Sequence, residues 1–387
     1  MKDTTGTEPF DMSLVQCGAR LRRSPFYEAE QRYGPKGYTV YNHMLFPIRY
    51  DDLEAEYWHL LNHVTLWDVS VERQVEITGP DGFRFTQLLT CRDLSRCAVG
   101  QGKYVLVTAP DGGIVNDPVL LRLGENHFWL ALADSDVLLY ATGLAAHAGM
   151  DVTIREPDVS PVQIQGPKSK DVVSSLFGPE ILELRYYWFR ETDLDGIPVV
   201  VTRTGWTSEV GYEIYLRDGS RGTELWERIM EAGRPHDIRP TGPSDIRRIE
   251  GGIFNHGIDM TIRNNPFEMG LERLVDLDSD AEFMGKEALR RIKAEGVGRR
   301  IVGVEIAGDP IGFNTERWPV GSDGAVVGHV SSAISSPRLK KNIGYAWVPA
   351  DRSATGTSLW VDTPTGRAQA TVVPMPFVDP TKEIPKS

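Results

Sequence analysis

One phrase occurs twice in this chain and limits its fold more than any other feature. Val75, Ile77, Gly79 and Pro80 in VEITGPDGFRFTQLL return as Val162, Ile164, Gly166 and Pro167 in VQIQGPKSKDVVSSLF. Each copy alternates apolar and polar residues, breaks at Gly-Pro and then takes up helical apolar spacing, which reads as strand, turn and helix. The copies lie farther apart than the roughly 20–50 residues of a solenoid repeat, so they predict two related α+β modules in one globule. A chain of 387 residues and 43.2 kDa exceeds what one core organises, which agrees with two or three packed domains.

Apolar stripes place further helices at Leu53, Tyr57, Leu60, Leu61 and Val64, at Leu225, Trp226, Ile229 and Met230, and at Ile246, Ile249 and Ile253. A short helix over residues 286–295 stops at Gly296, and from about Arg299 onward only strand-like runs follow, predicting an all-β C-terminal module. The first ten residues are polar, and nowhere do 18 apolar residues run uninterrupted, so a cytoplasmic protein without a membrane partner is expected. A formal charge of −12 and the lack of basic runs interleaved with aromatics argue against nucleic acid. Cys17, Cys91 and Cys97 match neither a zinc ribbon nor a redox pair and read as reduced structural thiols. His59 and His63 stand at i, i+4, but Leu60 follows the first histidine where the metalloprotease motif carries Glu, so no metal is predicted. Arg338, Lys340 and Lys341 are the densest basic cluster, readable either as an anion site or as a solvated turn.

Three phrases exceed what periodicity explains. Residues 104–123 (YVLVTAPDGGIVNDPVLLRL) read as a hairpin turning at Asp111–Gly113, with Asn116 and Asp117 adjacent on its second strand. Such residues are depleted from strand interiors, so they mark either a solvent-facing edge or a site. Residues 202–216 (TRTGWTSEVGYEIYL) put Glu213 among apolar strand residues, where a buried carboxylate needs strong donors opposite it. A pterin ring, with adjacent N–H and NH2 groups, is one such donor pair, and an arginine or an exposed face is the alternative. In RYYWFRET, Tyr186, Tyr187, Trp188 and Phe189 run in succession, more than one strand face can bury, so some line a cavity or an interface.

Taken in order, GGIVND, IQGP, RYYWF, RTGWTSEVGYE, SDIRRIEGG, NNPFEMGLERLVDLD, FMGKEAL and SSPRLKKNIGYAWV resemble the glycine-cleavage T-protein (aminomethyltransferase) family over residues 38–378. The resemblance implies a three-domain cloverleaf around a central channel for tetrahydrofolate. Its parts would be residues 1–70 with 157–260 as a folate-binding α+β domain, 71–156 with 261–296 as a second, and 297–387 as a β-barrel. It also implies that Asp117 lies at the reacting end of the folate, that Tyr104, Tyr186 and Tyr187 line the folate site, and that Glu213 binds the pterin.

Several positions depart from the amine-handling pattern. Val71 replaces the histidine of DVSH, Trp206 the tyrosine of GYTGE, Ser244 the arginine of GARD, and Leu132 stands where a folate-side asparagine is expected. A kept cradle with an altered remainder suggests the same cofactor with another substrate. The phrases TVYNHMLFP, ALADSDV and RRIEGG are similar to the dimethylsulfoniopropionate demethylase branch, which moves a methyl group from a sulfonium to tetrahydrofolate. On that reading the partner is a small-molecule methyl donor, Asp117 orients the pterin or takes the N5 proton, and Trp188 and Trp206 face the sulfonium as a cation–π wall. An aminomethyltransferase, or a folate-dependent N- or O-demethylase, is the alternative, with His256 or a tyrosine as the proton donor for an O-methyl ether, and a homodimer is left open.

Overall fold

The computed structural model describes residues 18–387; Cys17 and the polar first ten residues lie outside them. Both copies of the repeated phrase fold alike. Strand Gln74–Thr78 leads through Gly79 into helix Gly82–Leu89, and strand Ser160–Gln165 leads through Gly166 into helix Ser169–Phe177. Gly79 and Gly166 share a φ of 115°, and the carbonyl of each accepts from the N–H of the residue three on, Gly82 and Ser169. A Cβ at Gly166 would stand 2.5 Å from the His63 carbonyl oxygen and 2.7 Å from that of Leu60. The turn therefore requires glycine for its φ and for the close backbone approach.

Each unit feeds its own sheet. The first sheet runs Phe189–Leu194, Ile197–Thr202, Gly211–Leu216, Ser160–Gln165, Val64–Asp68 and Ile238–Pro240 in spatial order, antiparallel except for the last pair. The second runs Thr153–Arg155, Gln74–Thr78, His127–Ala131, Val119–Gly124 and Gly102–Tyr104. Strand alternation sorts the first sheet's residues. Val162, Ile164, Val199, Val201, Tyr212 and Ile214 pack with Leu225, Trp226 and Ile229 of helix Gly222–Gly233. Their neighbours Gln163, Gln165, Thr202, Glu213 and Tyr215 occupy the opposite face. That face meets the second sheet through Trp129, Leu121, Val200, Phe189 and Tyr215.

The C-terminal strands close into a barrel of Arg299–Ile306, Lys341–Pro349, Ala325–Ser336, Trp318–Ser322, Ser358–Thr363 and Gly366–Val373, as the strand-like runs predict. Closure leaves no unpaired sheet edge. Beyond Val373 the chain leaves the barrel and crosses back, with Val378 N–H bonded to the Glu250 carbonyl.

The predicted helices differ in detail. Helix Leu53–Asn62 is capped by Asp52, whose Oδ1 accepts from Glu54 and Ala55 N–H at 3.0 and 3.2 Å, but Val64 belongs to the following strand. Helix Asp245–Glu250 ends at Gly251, leaving Ile253 beyond it. The predicted hairpin over residues 104–123 is broken into Gly102–Tyr104, Val107–Thr108, Ile114–Asn116 and Val119–Gly124. Pro118 lacks an N–H and interrupts the ladder immediately after Asp117. Cys91 and Cys97 are buried free thiols. No helix among the described residues is long and apolar enough to cross a membrane.

Gly166→Ala should destabilise the chain by about 2 kcal/mol or more, because alanine at this φ is strained and its Cβ meets backbone oxygens that cannot move aside. Denaturant unfolding checks this, and a midpoint equal to wild type contradicts it.

Candidate active site

The polar face of the first sheet builds one end of the site. Glu213 lies on the central strand directly between Gln163 and Thr202 of the two neighbouring strands. Gln163 Nε2 donates to its Oε1 at 2.8 Å, while Thr204 Oγ1, the Tyr215 hydroxyl and Thr202 Oγ1 donate to its Oε2 at 2.6, 2.9 and 3.3 Å. Burial raises the Glu213 pKa, and these donors offset only part of that rise. The carboxylate is thus held rigidly, with Oε1 retaining acceptor capacity beyond its single protein donor.

The broken hairpin builds the other end. Tyr104 donates its hydroxyl to Asp117 Oδ2 at 2.9 Å, whereas Asp117 Oδ1 is buried without a hydrogen-bond partner. Burial is the main cause that pushes the Asp117 pKa up to about 7. Its neighbour Asn116 points the other way and is structural. Its amide donates to the Ala133 carbonyl and Ser135 Oγ, and its Oδ1 accepts from Ala133 N–H. The alternation of a strand therefore explains why adjacent polar residues do different work.

The aromatic run resolves into a turn. Trp188 N–H bonds back to the Arg185 carbonyl, Tyr187 has a φ of 64°, and Phe189 begins the strand. A bulky residue at positive φ is a costly conformation that its surroundings must enforce. Here Gly102 N–H donates to the Tyr187 carbonyl at 2.7 Å and Tyr187 N–H to the Arg203 carbonyl at 3.0 Å. The Tyr186 and Tyr187 rings meet edge to face, centroids 4.7 Å apart, and both feel the charge of Glu213.

Tyr104, Asp117, Tyr186, Tyr187 and Glu213 are accordingly brought together. Trp188 is not. It packs against the apolar core on the helix side of the sheet, and the Arg185 guanidinium lies 4.0 Å from its ring centroid. The expectation that Trp188 faces a sulfonium is corrected, because the residue before inward-facing Phe189 must point to the opposite side of the sheet. Trp206 does border the site. Its N–H reaches Gln163 Oε1 at 3.4 Å, its ring packs on Leu60, Trp67 and Val69, and Arg248 stands 5.8 Å from its centroid.

Three further groups escaped the sequence reading. Glu72, in the turn between Asp68 and Gln74, has its pKa raised well above the usual range by burial and then by Glu213 and Asp117. Tyr41, from the hairpin of the TVYNHMLFP phrase, is raised by burial and by Asp117 and Glu72. Adjacent Asn42 fixes this hairpin by donating to the carbonyls of Val71, Leu132 and Ala133. Arg247 lies fully buried, with Nε 2.7 Å from Glu209 Oε1. An arginine absent at position 244, where Ser244 instead caps the helix, is thus present three residues later. Elsewhere, His59 and His63 stack at 4.7 Å and meet Asp237, but Lys168 stands 3.1 Å from His63 Nδ1 and Arg239 3.0 Å from Asp237. Those cations already occupy positions around the potential ligand atoms and oppose a metal ion there. His256 Nε2 donates to the Ile114 carbonyl, 3.2 Å away, and burial lowers its pKa, so it is held neutral rather than poised as an acid.

A rigid buried carboxylate at one end, a carboxylate titrating near neutrality at the other and tyrosines between them define a site for a flat heterocycle undergoing proton-coupled group transfer. Comparison with known proteins gives this class its family. The GCVT N-terminal domain profile matches residues 14–279, and the glycine cleavage T-protein C-terminal barrel domain profile matches residues 299–379. The chain belongs to the glycine-cleavage T-protein family of tetrahydrofolate-dependent methyl- and aminomethyltransferases. It is 40% identical over 361 residues to the dimethylsulfoniopropionate demethylase DmdA of Ruegeria pomeroyi, covering 93% of this chain and 98% of that protein. It is 30% identical to the aminomethyltransferase of Bacillus cytotoxicus, covering 92% and 98%. The fold matches the crystal structure of the glycine cleavage system aminomethyltransferase T from Bartonella henselae with a TM-score of 0.84 at 24% identity, covering 93% of this chain and 99% of that one.

A pH test follows from Asp117. Its folded-state pKa of about 7 lies above the roughly 3.9 of an unfolded aspartate, so the fold favours the protonated form. The linked stability is complete below the unfolded value and is lost as pH rises through about 7. Asp117→Asn cannot ionise and escapes that loss. In thermal melts its melting temperature should gain on wild type between pH 5 and pH 8, and a pH-independent difference contradicts the assignment.

Proposed function

We propose that the protein is a demethylase that moves a methyl group from dimethylsulfoniopropionate to N5 of tetrahydrofolate, giving 5-methyltetrahydrofolate and methylthiopropionate. One observation carries the choice of a cationic donor. Glu213 is buried with Asp117 and Glu72 half-buried near it, and none of the three has a lysine or arginine salt-bridge partner among the described residues. Unpaired buried carboxylates raise one another's pKa, and an incoming cation relieves that cost. Similarity to the Ruegeria pomeroyi demethylase over nearly the whole chain supports the same reading.

Tetrahydrofolate, when bound, supplies the nucleophilic nitrogen. Glu213 suits the adjacent N–H and NH2 of a pterin, since its Oε1 has a single protein donor and retains acceptor capacity. Tyr186 and Tyr187 wall the ring, and Tyr104 fixes the rotamer of Asp117. The methyl carbon–sulfur bond breaks as the nitrogen–carbon bond forms, and the electron pair stays on sulfur, so the thioether leaves neutral and needs no general acid. The proton lost from nitrogen goes to Asp117 Oδ1, the buried oxygen without a partner. Trp206 offers its ring to the sulfonium, a contribution of about 0.5–2 kcal/mol when desolvated.

The test mixes the full chain and tetrahydrofolate with dimethylsulfoniopropionate, glycine betaine, dimethylglycine or vanillate in turn and measures 5-methyltetrahydrofolate. Turnover is expected with dimethylsulfoniopropionate, falling about 10²-fold in kcat for Asp117→Asn. Turnover that requires a lipoylated carrier protein assigns the chain to aminomethyl transfer instead.

A further inference from the structure

A carboxylated sulfonium needs a cation for its carboxylate, placed so that the methyl end still reaches the folate nitrogen. Most basic side chains around the site are already engaged. Arg248 is fully buried, bonded to Asp245 at 2.7 Å, Asp259 at 2.9 Å and Ser332 at 2.9 Å. Arg247 bonds Glu209 and the Ser208 carbonyl at 2.7 and 2.9 Å. Lys382 donates to Ser208 Oγ at 2.9 Å and to the Gly251 carbonyl, and Arg92 donates to the Tyr104 carbonyl at 2.8 Å. Arg263 and Arg317 line an outer cleft of about 280 Å³ beside the barrel, with His329 and Trp347.

Arg338 differs from all of these. Its side chain is 26% exposed, its only charged contact among the described residues is Glu209 at 3.8 Å, and it makes no hydrogen bond there. Glu209 meanwhile has a closer partner in Arg247 at 2.7 Å. The barrel turn that carries Arg338 is fixed on both sides. Ser336 Oγ donates to Glu250 Oε1 at 2.6 Å and accepts from Leu339 N–H at 3.1 Å, while the Tyr57 hydroxyl donates to the same Glu250 oxygen at 2.7 Å. Lys341 is drawn away to Glu305 at 2.8 Å and Lys340 is exposed, so Arg338 alone of the basic cluster turns inward.

Loop 204–210 links this guanidinium to the Glu213 end of the site. It starts at Thr204, bonded to Glu213 at 2.6 Å, passes through Trp206 and reaches Glu209 opposite Arg338. Trp206 packs on Leu60, one helical turn from Tyr57. The donor carries its carboxylate two methylenes from sulfur, so a sulfonium held at Trp206 calls for a cation farther along this side of the site, and Glu209 on the same loop faces Arg338.

We propose that Arg338 anchors the carboxylate of the methyl donor and so selects carboxylated sulfonium compounds. This rests on the demethylase reading. A guanidinium with no hydrogen bond of its own offers a two-pronged donor set that the substrate completes. Arg338 acts on binding and does not touch the transferred methyl.

Steady-state kinetics on the full chain, varying donor and tetrahydrofolate separately, test it. Arg338→Gln should raise KM for dimethylsulfoniopropionate about 10–100-fold, the effect of one lost charged hydrogen-bonding pair, while KM for tetrahydrofolate stays within about twofold. Arg338→Lys should recover part of the loss, and Arg317→Ala should match wild type. The wild-type preference for dimethylsulfoniopropionate over trimethylsulfonium, which lacks a carboxylate, should collapse in Arg338→Gln. An unchanged donor KM, a rise confined to the folate KM, or a donor effect from Arg317→Ala instead overturns the assignment. If wild type uses another carboxylated onium donor and not dimethylsulfoniopropionate, the proposed function fails, while the same KM rise on that donor upholds Arg338. Turnover restricted to a carrier-bound aminomethyl group, with no carboxylate to anchor, overturns both.

Discussion

The site depends on keeping a carboxylate inside a sheet. Glu213 is 3% exposed, and isolated burial of such a charge costs several kcal/mol. Four donors offset the cost, two of them supplied by cross-strand neighbours in fixed register. A one-residue slip of its strand would turn Glu213 into the helix-side core and bring Tyr212 or Ile214 to the site face. The same register that buries Val199, Val201, Tyr212 and Ile214 therefore also aims Gln163, Thr202 and Glu213, and fold and function share one constraint.

Asp117 obeys a different logic. It is placed where a ladder fails, just after Ile114–Asn116 and before Pro118, so its side chain is not committed to either neighbouring sheet. Tyr104 engages one of its oxygens and leaves the other buried without a partner. Such an atom is a stability cost that a structural role does not repay, and proteins retain such costs where chemistry uses them. Glu72 adds to the cost, since its neighbours Glu213 and Asp117 both push its pKa upward.

Much of this was legible in the sequence. The repeated Gly-Pro phrase marked the two strand-turn-helix units because glycine at that φ leaves few alternatives, and the barrel followed from unbroken alternation after residue 299. Family motifs carried Asp117, Glu213 and the tyrosines, and the geometry unites them. Local pattern failed where a side chain's direction is set by distant backbone. Trp188 looked available within an aromatic run, but its turn and the adjoining strand send it to the core. Nothing in the local pattern marks Glu72, whose place depends on Arg73 being taken by Glu156 at 3.0 Å, which leaves Glu72 half-buried beside Glu213 and Asp117. At position 244, Ser244 caps the short helix by accepting from Arg247 N–H, a role that the missing arginine does not announce in the sequence.

On the proposed function Glu213 anchors the folate ring, and its charge adds to its hydrogen bonds in binding. Equilibrium titration of tetrahydrofolate into wild type and Glu213→Gln, with unfolding midpoints measured in parallel, tests it most directly. A Kd raised about 10–100-fold is expected in the variant, as for losing a charge-assisted hydrogen bond, with the fold retained because a buried charge has been removed. An unchanged Kd in a folded Glu213→Gln protein would contradict it.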